Sequence, residues 1–140
     1  MSGAPPREPR GPIASMLSPR FFVHLAVFLA LLGVWTWKLL EPYPVPPALK
    51  EGFSADALLI LAKTLHAGVY ASLAVLAATL PVPRRWRLAL VVVLLLHGVG
   101  TEIGQTYVPN RTGKVTDVLI DWSGITAGLL ALRWWNRRHV

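Results

Sequence analysis

The chain has 140 residues, of which 54% are hydrophobic and 15% are charged, a composition typical of membrane proteins rather than of soluble domains. It contains no cysteine, which excludes disulfides, thiol nucleophiles and thiolate metal sites. The formal net charge of +7 would suit a nucleic-acid-binding protein, unless the basic residues prove to lie on one side of a membrane.

The N-terminal part of the chain predicts a tail followed by a first membrane helix. Residues 1–20 are rich in Pro, Gly and Ser and show no apolar period, which predicts a disordered cytoplasmic tail. Residues 21–40 are mostly apolar and can form a helix about 30 Å long, enough to cross a bilayer. A signal peptide is the alternative, but the apolar run is long for one and no small-residue cleavage site follows it. The proline-rich stretch 41–53 is predicted to be a loop, because proline removes backbone donors and biases its predecessor toward extended conformations.

Three further membrane helices are predicted from the apolar runs that follow. The second spans about residues 57–80, with Ser54 as its N-cap and an acid in its first turn. The third spans about residues 86–105. The fourth begins at its cap Thr116 and continues to about residue 134. The sequence therefore predicts an all-α, integral membrane bundle of four transmembrane helices over residues 21–135, closed by a basic C-terminal tail at 136–140.

The distribution of basic residues predicts the orientation of this bundle. With four spans, the N-terminal tail, the 81–87 loop and the C-terminus share one side of the membrane. That side holds nine of the fourteen Lys and Arg residues: Arg7, Arg10, Arg20, Arg84, Arg85, Arg87, Arg133, Arg137 and Arg138. By the positive-inside rule both termini are cytoplasmic, so topology explains the basic charge and no nucleic-acid partner is expected.

Polar side chains within helices two to four gather near the opposite, outward-facing end. Lys63, His66 and Tyr70 stand at i, i+3 and i+7 and share one helix face. A charge at the bilayer centre costs about 2.5–3.5 kcal/mol, so such side chains are expected to turn inward and pair. The residues predicted to bind a ligand are Lys63, His66, Tyr70, Glu102, Gln105, Arg111, Asp117 and Asp121.

The residues leave two interpretations of this cluster open. It is either a set of structural salt bridges or a functional site, which is the default hypothesis for ionisable residues inside a membrane. His97, one to two turns below Glu102, either extends the cluster or bonds a backbone carbonyl. A divalent metal would suit Glu102, Asp117 and Asp121, but two nearby cations argue against it, so no metal or other cofactor is expected.

Small and aromatic residues have structural interpretations. Gly100/Gly104 and Gly124/Gly128 have the GxxxG spacing that lets helices approach closely. The tryptophans near helix ends are predicted to form an aromatic belt: Trp35, Trp37, Trp86, Trp134 and Trp135. Trp122, close to the cluster, either stacks on a sugar or packs.

The order and spacing of the polar residues resemble those of the VanZ-like family of small membrane proteins. The resemblance covers about residues 57–130 and rests on Lys63-x-x-His66-x-x-x-Tyr70, Glu102-x-x-Gln105, and Arg111 six residues before Asp117, with Gly124 and Gly128 following. The family is named for a component of glycopeptide-resistance clusters linked to teicoplanin tolerance, so the resemblance implies a role at the cell envelope. The chain departs from the family pattern at Ala62, where an acid is common, and at Asp121, where an asparagine is common.

The leading hypothesis for function is binding of an anionic, lipid-linked envelope molecule at the outer face of a bacterial cytoplasmic membrane. Lys63 and Arg111 would hold phosphate or carboxylate, with Glu102 and Asp117 orienting those two cations. Other polar side chains, such as Gln105 and Tyr70, would bond a sugar or peptide.

Two other functions remain open. The chain is an enzyme acting on the same kind of lipid if His66 or Glu102 is a general base and Lys63 stabilises developing negative charge. Alternatively, the carboxylates and histidine conduct protons or ions, which four helices would achieve only as an oligomer. The sequence does not specify the oligomeric state.

Overall fold

The structure, a computed structural model, describes residues 18–139 and contains no β-strand within that range. Its helices are α1 (Pro19–Leu40), α2 (Pro47–Gly52), α3 (Ala55–Thr79), α4 (Arg84–Gln105) and α5 (Val115–His139). All except the short α2 are long and apolar enough to cross a membrane. The predicted all-α bundle of four membrane helices is therefore confirmed, while most of the predicted N-terminal tail lies outside the described residues.

The N-termini of α1 and α3 begin at serine caps. Ser18 accepts a hydrogen bond from the backbone N–H of Phe21, and Pro19 follows at the first helical position, where a missing N–H costs nothing. Ser54 accepts from the N–H of Ala57 at 3.2 Å, which confirms the predicted N-cap of α3. Three of the long helices, α1, α3 and α4, each begin two residues before the predicted start.

The prediction that the stretch 41–53 contains no helix is wrong. Pro47–Gly52 form α2, with Pro46 at the N-cap and a proline at the first helical position. Prolines are tolerated there because the first N–H groups of a helix have no partner within the helix. The residues that follow, Ala48 to Glu51, are good helix formers, so the proline pair starts this helix instead of preventing it.

The fourth membrane helix, α5, differs from its prediction at both ends. It begins at Val115, so Thr116 lies inside the first turn and is not the cap. It continues to His139, so residues predicted as a basic tail are helical, while Val140 lies outside the described residues. Arg138 lies 3.6 Å above the ring of Trp134, a cation–π contact within the helix. Arginine is also a good helix former, which the tail prediction neglected.

The closest helix contact in the bundle is the crossing of α3 and α5. A Cβ atom added at Gly124 would lie 2.8 Å from Cα of Ala67, and one at Gly128 would lie 2.9 Å from Cα of Ala71. The predicted GxxxG packing is confirmed here, because only glycine leaves room for the backbones to approach this closely. The other predicted pair is looser: a Cβ at Gly104 would meet Leu40, whereas one at Gly100 would meet nothing within 4 Å.

The apolar core lies in the middle of the bundle. It consists of the buried residues Phe28, Tyr70, Leu73, Ala74, Ala77, Leu94 and Ile125, contributed by all four long helices. Many large apolar side chains on the outer helix faces, such as Val23, Ile60 and Leu96, are exposed. In a membrane these side chains contact lipid, so their exposure is expected of four membrane-spanning helices.

Successive long helices run in opposite directions, which gives the bundle two chemically different ends. The loop end carries the segments 41–54 and 106–114, together with the start of α3, the end of α4 and the start of α5. The terminal end carries residue 18, the 80–83 turn and His139. At the terminal end an open groove is lined by Arg84, Arg87, Arg133 and Arg137. The predicted ligand-binding residues lie toward the loop end.

Candidate functional site

Lys63 of α3 and Asp117 of α5 form an ion pair near the loop end. The ammonium donates to Oδ1 of Asp117 at 3.3 Å, and the two side chains are 39% and 23% exposed. This is one of the cation–carboxylate pairs that the sequence predicted. Its partial exposure makes it a weak contributor to stability, since exposed pairs are screened by solvent.

Arg111 lies in the 106–114 loop and does not pair with a carboxylate. Its Nη2 donates to the backbone carbonyl of Leu39, at the end of α1, over 2.9 Å. Its Nε is buried and has no hydrogen-bond partner in the described part of the chain. No Asp or Glu oxygen within residues 18–139 comes within 4.0 Å of the guanidinium. The prediction that Glu102 or Asp117 orients this cation is wrong, because Lys63 takes Asp117 and Glu102 takes other partners.

Glu102 is 5% exposed and holds the 106–114 loop against α4. Its Oε2 accepts the backbone N–H of Lys114 at 2.7 Å, and its Oε1 accepts the side-chain amide of Gln105 at 3.3 Å. Gly113 packs on the backbone of Glu102 so closely that any Cβ there would overlap it. Glu102 and Gln105 are therefore bonded to each other and to the loop. They do not form an ion pair with either predicted cation.

His66 and Asp121 form the deepest polar contact between α3 and α5. His66 Nδ1 and Asp121 Oδ1 are 2.9 Å apart, and the Asp121 side chain is 0% exposed. The other carboxylate oxygen, Oδ2, is buried and has no hydrogen-bond partner among residues 18–139. The edge of Trp35 in α1 packs on the His66 ring, with centroids 5.3 Å apart. Each of His66, Glu102 and Asp121 offers one potential metal-ligand atom within 4.8 Å of the other two.

Tyr70 and His97 continue the polar network into the core. The Tyr70 hydroxyl lies 2.8 Å from Nδ1 of His97, and Nε2 of His97 lies 2.9 Å from Oγ1 of Thr36. Thr36 donates its single proton to the carbonyl of Leu32, so His97 donates from Nε2 and accepts the Tyr70 proton at Nδ1. Of the two predicted roles for His97, extending the cluster is the one observed. Tyr70 is completely buried, so it contacts this network and not an open surface.

A cleft of about 170 Å³ opens beside this network, between α1, α3 and the 41–54 segment that contains α2. Lys38, His66 and Arg111 are its ionisable lining residues. The rest of its wall is apolar or aromatic: Trp35, Leu39, Pro44, Val45, Pro46, Leu49, Leu58, Leu61, Ala62 and Leu65. The cleft thus combines a cationic part with a largely apolar wall.

The sequence did not identify the contribution of α1 to this cleft. Trp35 was predicted to belong to an aromatic belt and Lys38 only to the charge count, yet both line the cleft together with Leu39. Their spacing of i, i+3 and i+4 places them on one helix face, which was the available signal. Within residues 18–139, Trp35 Nε1 is buried and has no hydrogen-bond partner. Trp122 packs, with its Nε1 donating to the carbonyl of Leu95.

The predicted ligand-binding residues divide into three groups by position. Lys63 and Asp117 form the partly exposed ion pair, and His66 and Arg111 line the cleft. The buried group consists of Tyr70, Glu102, Gln105 and Asp121. The structure thus brings the predicted residues to one region, while direct access from the cleft is limited to His66 and Arg111 among them.

Comparison with known proteins identifies a family but no individual relative. A protein-family model described as VanZ/LLP1 matches residues 15–136, which includes α1 as well as the 57–130 region recognised in the sequence. No curated protein matches the chain, and no solved structure matches it.

Proposed function

The chain belongs to the VanZ/LLP1 family, and we propose that this membrane protein binds an anionic, lipid-linked molecule of the cell envelope in the cleft between α1 and α3. The polar head of the ligand contacts Arg111 and His66 beside the ion pair of Lys38 and Glu41, and its hydrocarbon part lies along the apolar wall. A molecule with both parts matches a cleft that has both kinds of lining.

The main support for this proposal comes from the burial and the hydrogen-bond partners of Arg111. The residue is half-buried among apolar neighbours, has no carboxylate partner in the described part of the chain, and keeps a buried Nε without an acceptor. A buried cation or donor without a partner is costly, and an arginine fork matches the oxygens of a phosphate or carboxylate. An anionic ligand supplies the missing acceptor.

Trp35, a second lining residue of the cleft, provides further support. Its Nε1 is also a buried donor without a partner, and the residue lines the same cleft as Arg111. A phosphate has several oxygens and accepts from more than one donor at once. The cleft of about 170 Å³ is smaller than the roughly 300–1,000 Å³ of sites that enclose drug-sized molecules. We therefore place only the ligand's head and the first part of its chain inside.

The charge distribution supports an orientation for this site. Nine arginines lie on the side of the chain termini, which the positive-inside rule places in the cytoplasm. The cleft at the loop end then faces away from the cytoplasm, and the proposed location is a bacterial cytoplasmic membrane. A protein that binds a peptidoglycan precursor there would hide it from a glycopeptide, which is how the chain would contribute to teicoplanin resistance.

The test is retention of a polyprenyl phosphate by purified protein in lipid nanodiscs, measured by native mass spectrometry. Arg111→Gln is expected to lose the bound lipid, because an amide cannot supply the positive charge or the full fork of donors. Lys114→Gln is the matched control: Lys114 is a cation of the same loop that does not line the cleft. It is expected to retain lipid as the wild type does.

Three outcomes decide the proposal. Loss in Arg111→Gln with retention in Lys114→Gln supports an anion site at Arg111. Equal retention in both variants, or no retention by the wild type, overturns it. Arg111→Lys controls for misfolding, because it keeps the positive charge but not the fork of donors. A folded Arg111→Lys variant should retain an amount of lipid between those of the wild type and Arg111→Gln.

A second candidate, an enzyme acting on the same lipid, is favoured by the His66–Asp121 pair. His66 lines the cleft while its Nδ1 contacts a fully buried carboxylate, an arrangement that orients an imidazole for general base catalysis. Glu102 is a weaker candidate because both of its oxygens already accept hydrogen bonds. Release of inorganic phosphate from a polyprenyl diphosphate, abolished in His66→Gln, would establish catalysis, whereas binding without release would restrict the function to binding.

A further inference from the structure

The most unusual chemical feature of the bundle is the buried group formed by His66, Glu102 and Asp121. The three residues come from three different helices, α3, α4 and α5, and their potential ligand atoms lie within 4.8 Å of one another. The carboxylates are almost completely buried, with Glu102 5% and Asp121 0% exposed. Such convergence inside a membrane helix bundle requires a compensating interaction.

No lysine or arginine side chain compensates these two carboxylates in the described part of the chain. The nearby cations are engaged elsewhere, since Lys63 pairs with Asp117 and Arg111 bonds the carbonyl of Leu39. Within residues 18–139, the side chain that contacts Asp121 at this depth is the imidazole of His66. Two carboxylates at this depth are stable only when protons or a bound cation neutralise them.

Asp121 supplies a second, independent observation. Its Oδ2 is fully buried and accepts no hydrogen bond, although a buried carboxylate oxygen normally has a partner. Gly98 of α4 lies beside this oxygen, and a Cβ at that position would approach it to 3.1 Å. The Tyr70 hydroxyl lies 3.5 Å from the same Cβ position, but it contacts His97 Nδ1 at 2.8 Å, so among residues 18–139 the nearby donor is engaged elsewhere.

We propose that His66, Glu102 and Asp121 bind one divalent transition-metal ion of the Zn²⁺ or Mn²⁺ class. One imidazole nitrogen with two carboxylate oxygens favours these ions over Ca²⁺ and Mg²⁺, which prefer oxygen ligands alone. The 2.9 Å between His66 Nδ1 and Asp121 Oδ1 is close to the roughly 3.0 Å between neighbouring ligands of an octahedral ion such as Mn²⁺ with bonds of about 2.1 Å, whereas tetrahedral Zn²⁺ requires the two atoms to separate to about 3.4 Å. The two positive charges of the ion neutralise the two carboxylates. This proposal replaces the expectation, drawn from the sequence, that there is no metal site.

The surroundings of Glu102 suit a metal ligand. The Gln105 amide and the Lys114 N–H bind its two oxygens and fix the orientation of the carboxylate. Hydrogen bonds of this kind from outside the ligand set commonly orient ligating carboxylates. Three protein ligands leave coordination positions for water or for an anionic oxygen.

The metal site would assist the proposed anion binding, but the metal can bind whether or not that function is correct. His66 belongs both to the buried group and to the cleft wall, so a metal ion beside it adds positive charge behind the place where an anionic head would bind. Only this role of the metal rests on the proposed lipid binding. In the metal-bound state the ion takes the place of the proton between His66 and Asp121.

The experiment is metal analysis of the full chain, purified in detergent with an affinity tag that contains no histidine. The protein is treated with EDTA, dialysed, and titrated with Zn²⁺ and Mn²⁺ by isothermal calorimetry, with the bound metal then counted by inductively coupled plasma mass spectrometry. Co²⁺ is added as a spectroscopic probe, because its visible absorption reports bound nitrogen and oxygen ligands. The wild type is expected to bind one ion per chain.

Three variants make the result specific. Asp121→Asn keeps the size of the side chain and an acceptor for His66, but it removes a charge and should weaken binding about tenfold or more. Glu102→Gln should do the same. Asp117→Asn is the matched control. Asp117 is an acid in the same helix as Asp121, one turn away from it, and it pairs with Lys63. It should bind metal as the wild type does.

The outcomes separate this proposal from the lipid-binding proposal. No metal in the wild type, or equal binding by wild type, Asp121→Asn and Glu102→Gln, overturns the metal site. Arg111→Gln is expected to keep the metal while losing lipid. One proposal can therefore fail while the other stands. If Asp121→Asn does not fold, Glu102→Gln carries the test, and circular dichroism identifies which variants are folded.

Discussion

The contact between Gly128 and α3 leads to a quantitative prediction about stability. A Cβ atom at Gly128 would lie 2.5 Å from the carbonyl oxygen of Ala71 and 2.9 Å from its Cα. Both neighbours are backbone atoms, so they cannot rotate away as a flexible side chain would. In Gly128→Ala the two helices must separate by about 0.9 Å before the new methyl group reaches the 3.4 Å of ordinary contact.

The cost of this separation follows from the nature of the interface. Overpacking a well-packed interior by one carbon typically costs about 1–3 kcal/mol, and a contact with backbone on both sides belongs in the upper half of that range. Membrane helices associate through close packing, so the lost contact is not replaced by a hydrophobic gain. Gly128→Ala should therefore lower the free energy of unfolding by about 2–3 kcal/mol.

The assay is equilibrium unfolding in mixed detergent micelles, followed by far-ultraviolet circular dichroism. Gly68→Ala is the matched control, because Gly68 is a helical glycine of α3 with nothing within 4 Å of its Cβ position. Alanine there should be neutral or slightly stabilising, since it reduces the flexibility of the unfolded chain. Equal stability of Gly128→Ala and Gly68→Ala would refute the reasoning.

Substitutions at three further positions have expected outcomes in the same unfolding assay. Tyr70→Phe removes the hydroxyl that contacts His97 in the core and should cost about 1–3 kcal/mol; a neutral result would mean that this contact does not stabilise the bundle. Lys63→Met breaks the ion pair with Asp117, but because that pair is partly exposed the loss should stay below about 1 kcal/mol. A larger loss would mean that the pair is structural. Asn110 has a φ of 61°, so Asn110→Val should be destabilised by about 1–2 kcal/mol, whereas Asn110→Gly should match the wild type.

The sequence predicted the membrane helices well because their signal is local. Length and apolarity identify a membrane-spanning helix without knowledge of its neighbours, and Ser54 marked the start of α3 by its own chemistry. The short helix α2 was missed for the same reason, since its prolines dominated the local interpretation. The position of these prolines at the very start of α2, rather than their number, determines whether a helix forms.

The pairing within the site could be predicted only in part. Spacing along α3 and α5 placed their polar residues on inward faces, but which cation meets which carboxylate depends on helix rotation and depth. Glu102 illustrates the limit, because one of its partners is a backbone N–H, which every residue except proline carries. Arg111 likewise bonds a carbonyl of α1, a helix that showed no polar cluster of its own.

The tight crossing of α3 and α5 fixes one part of the molecule more firmly than the rest of the cleft wall. Those two helices carry His66 and Asp121 and are locked together at glycine contacts that tolerate no larger residue. The remaining wall of the cleft comes largely from α1 and the segment containing α2, where apolar side chains of different sizes can replace one another. If the cleft binds a lipid-linked anion as proposed, ligand size and ligand chemistry would be encoded in separate parts of the chain. Variation in α1 would then change which hydrocarbon chain fits while the buried polar group stays the same.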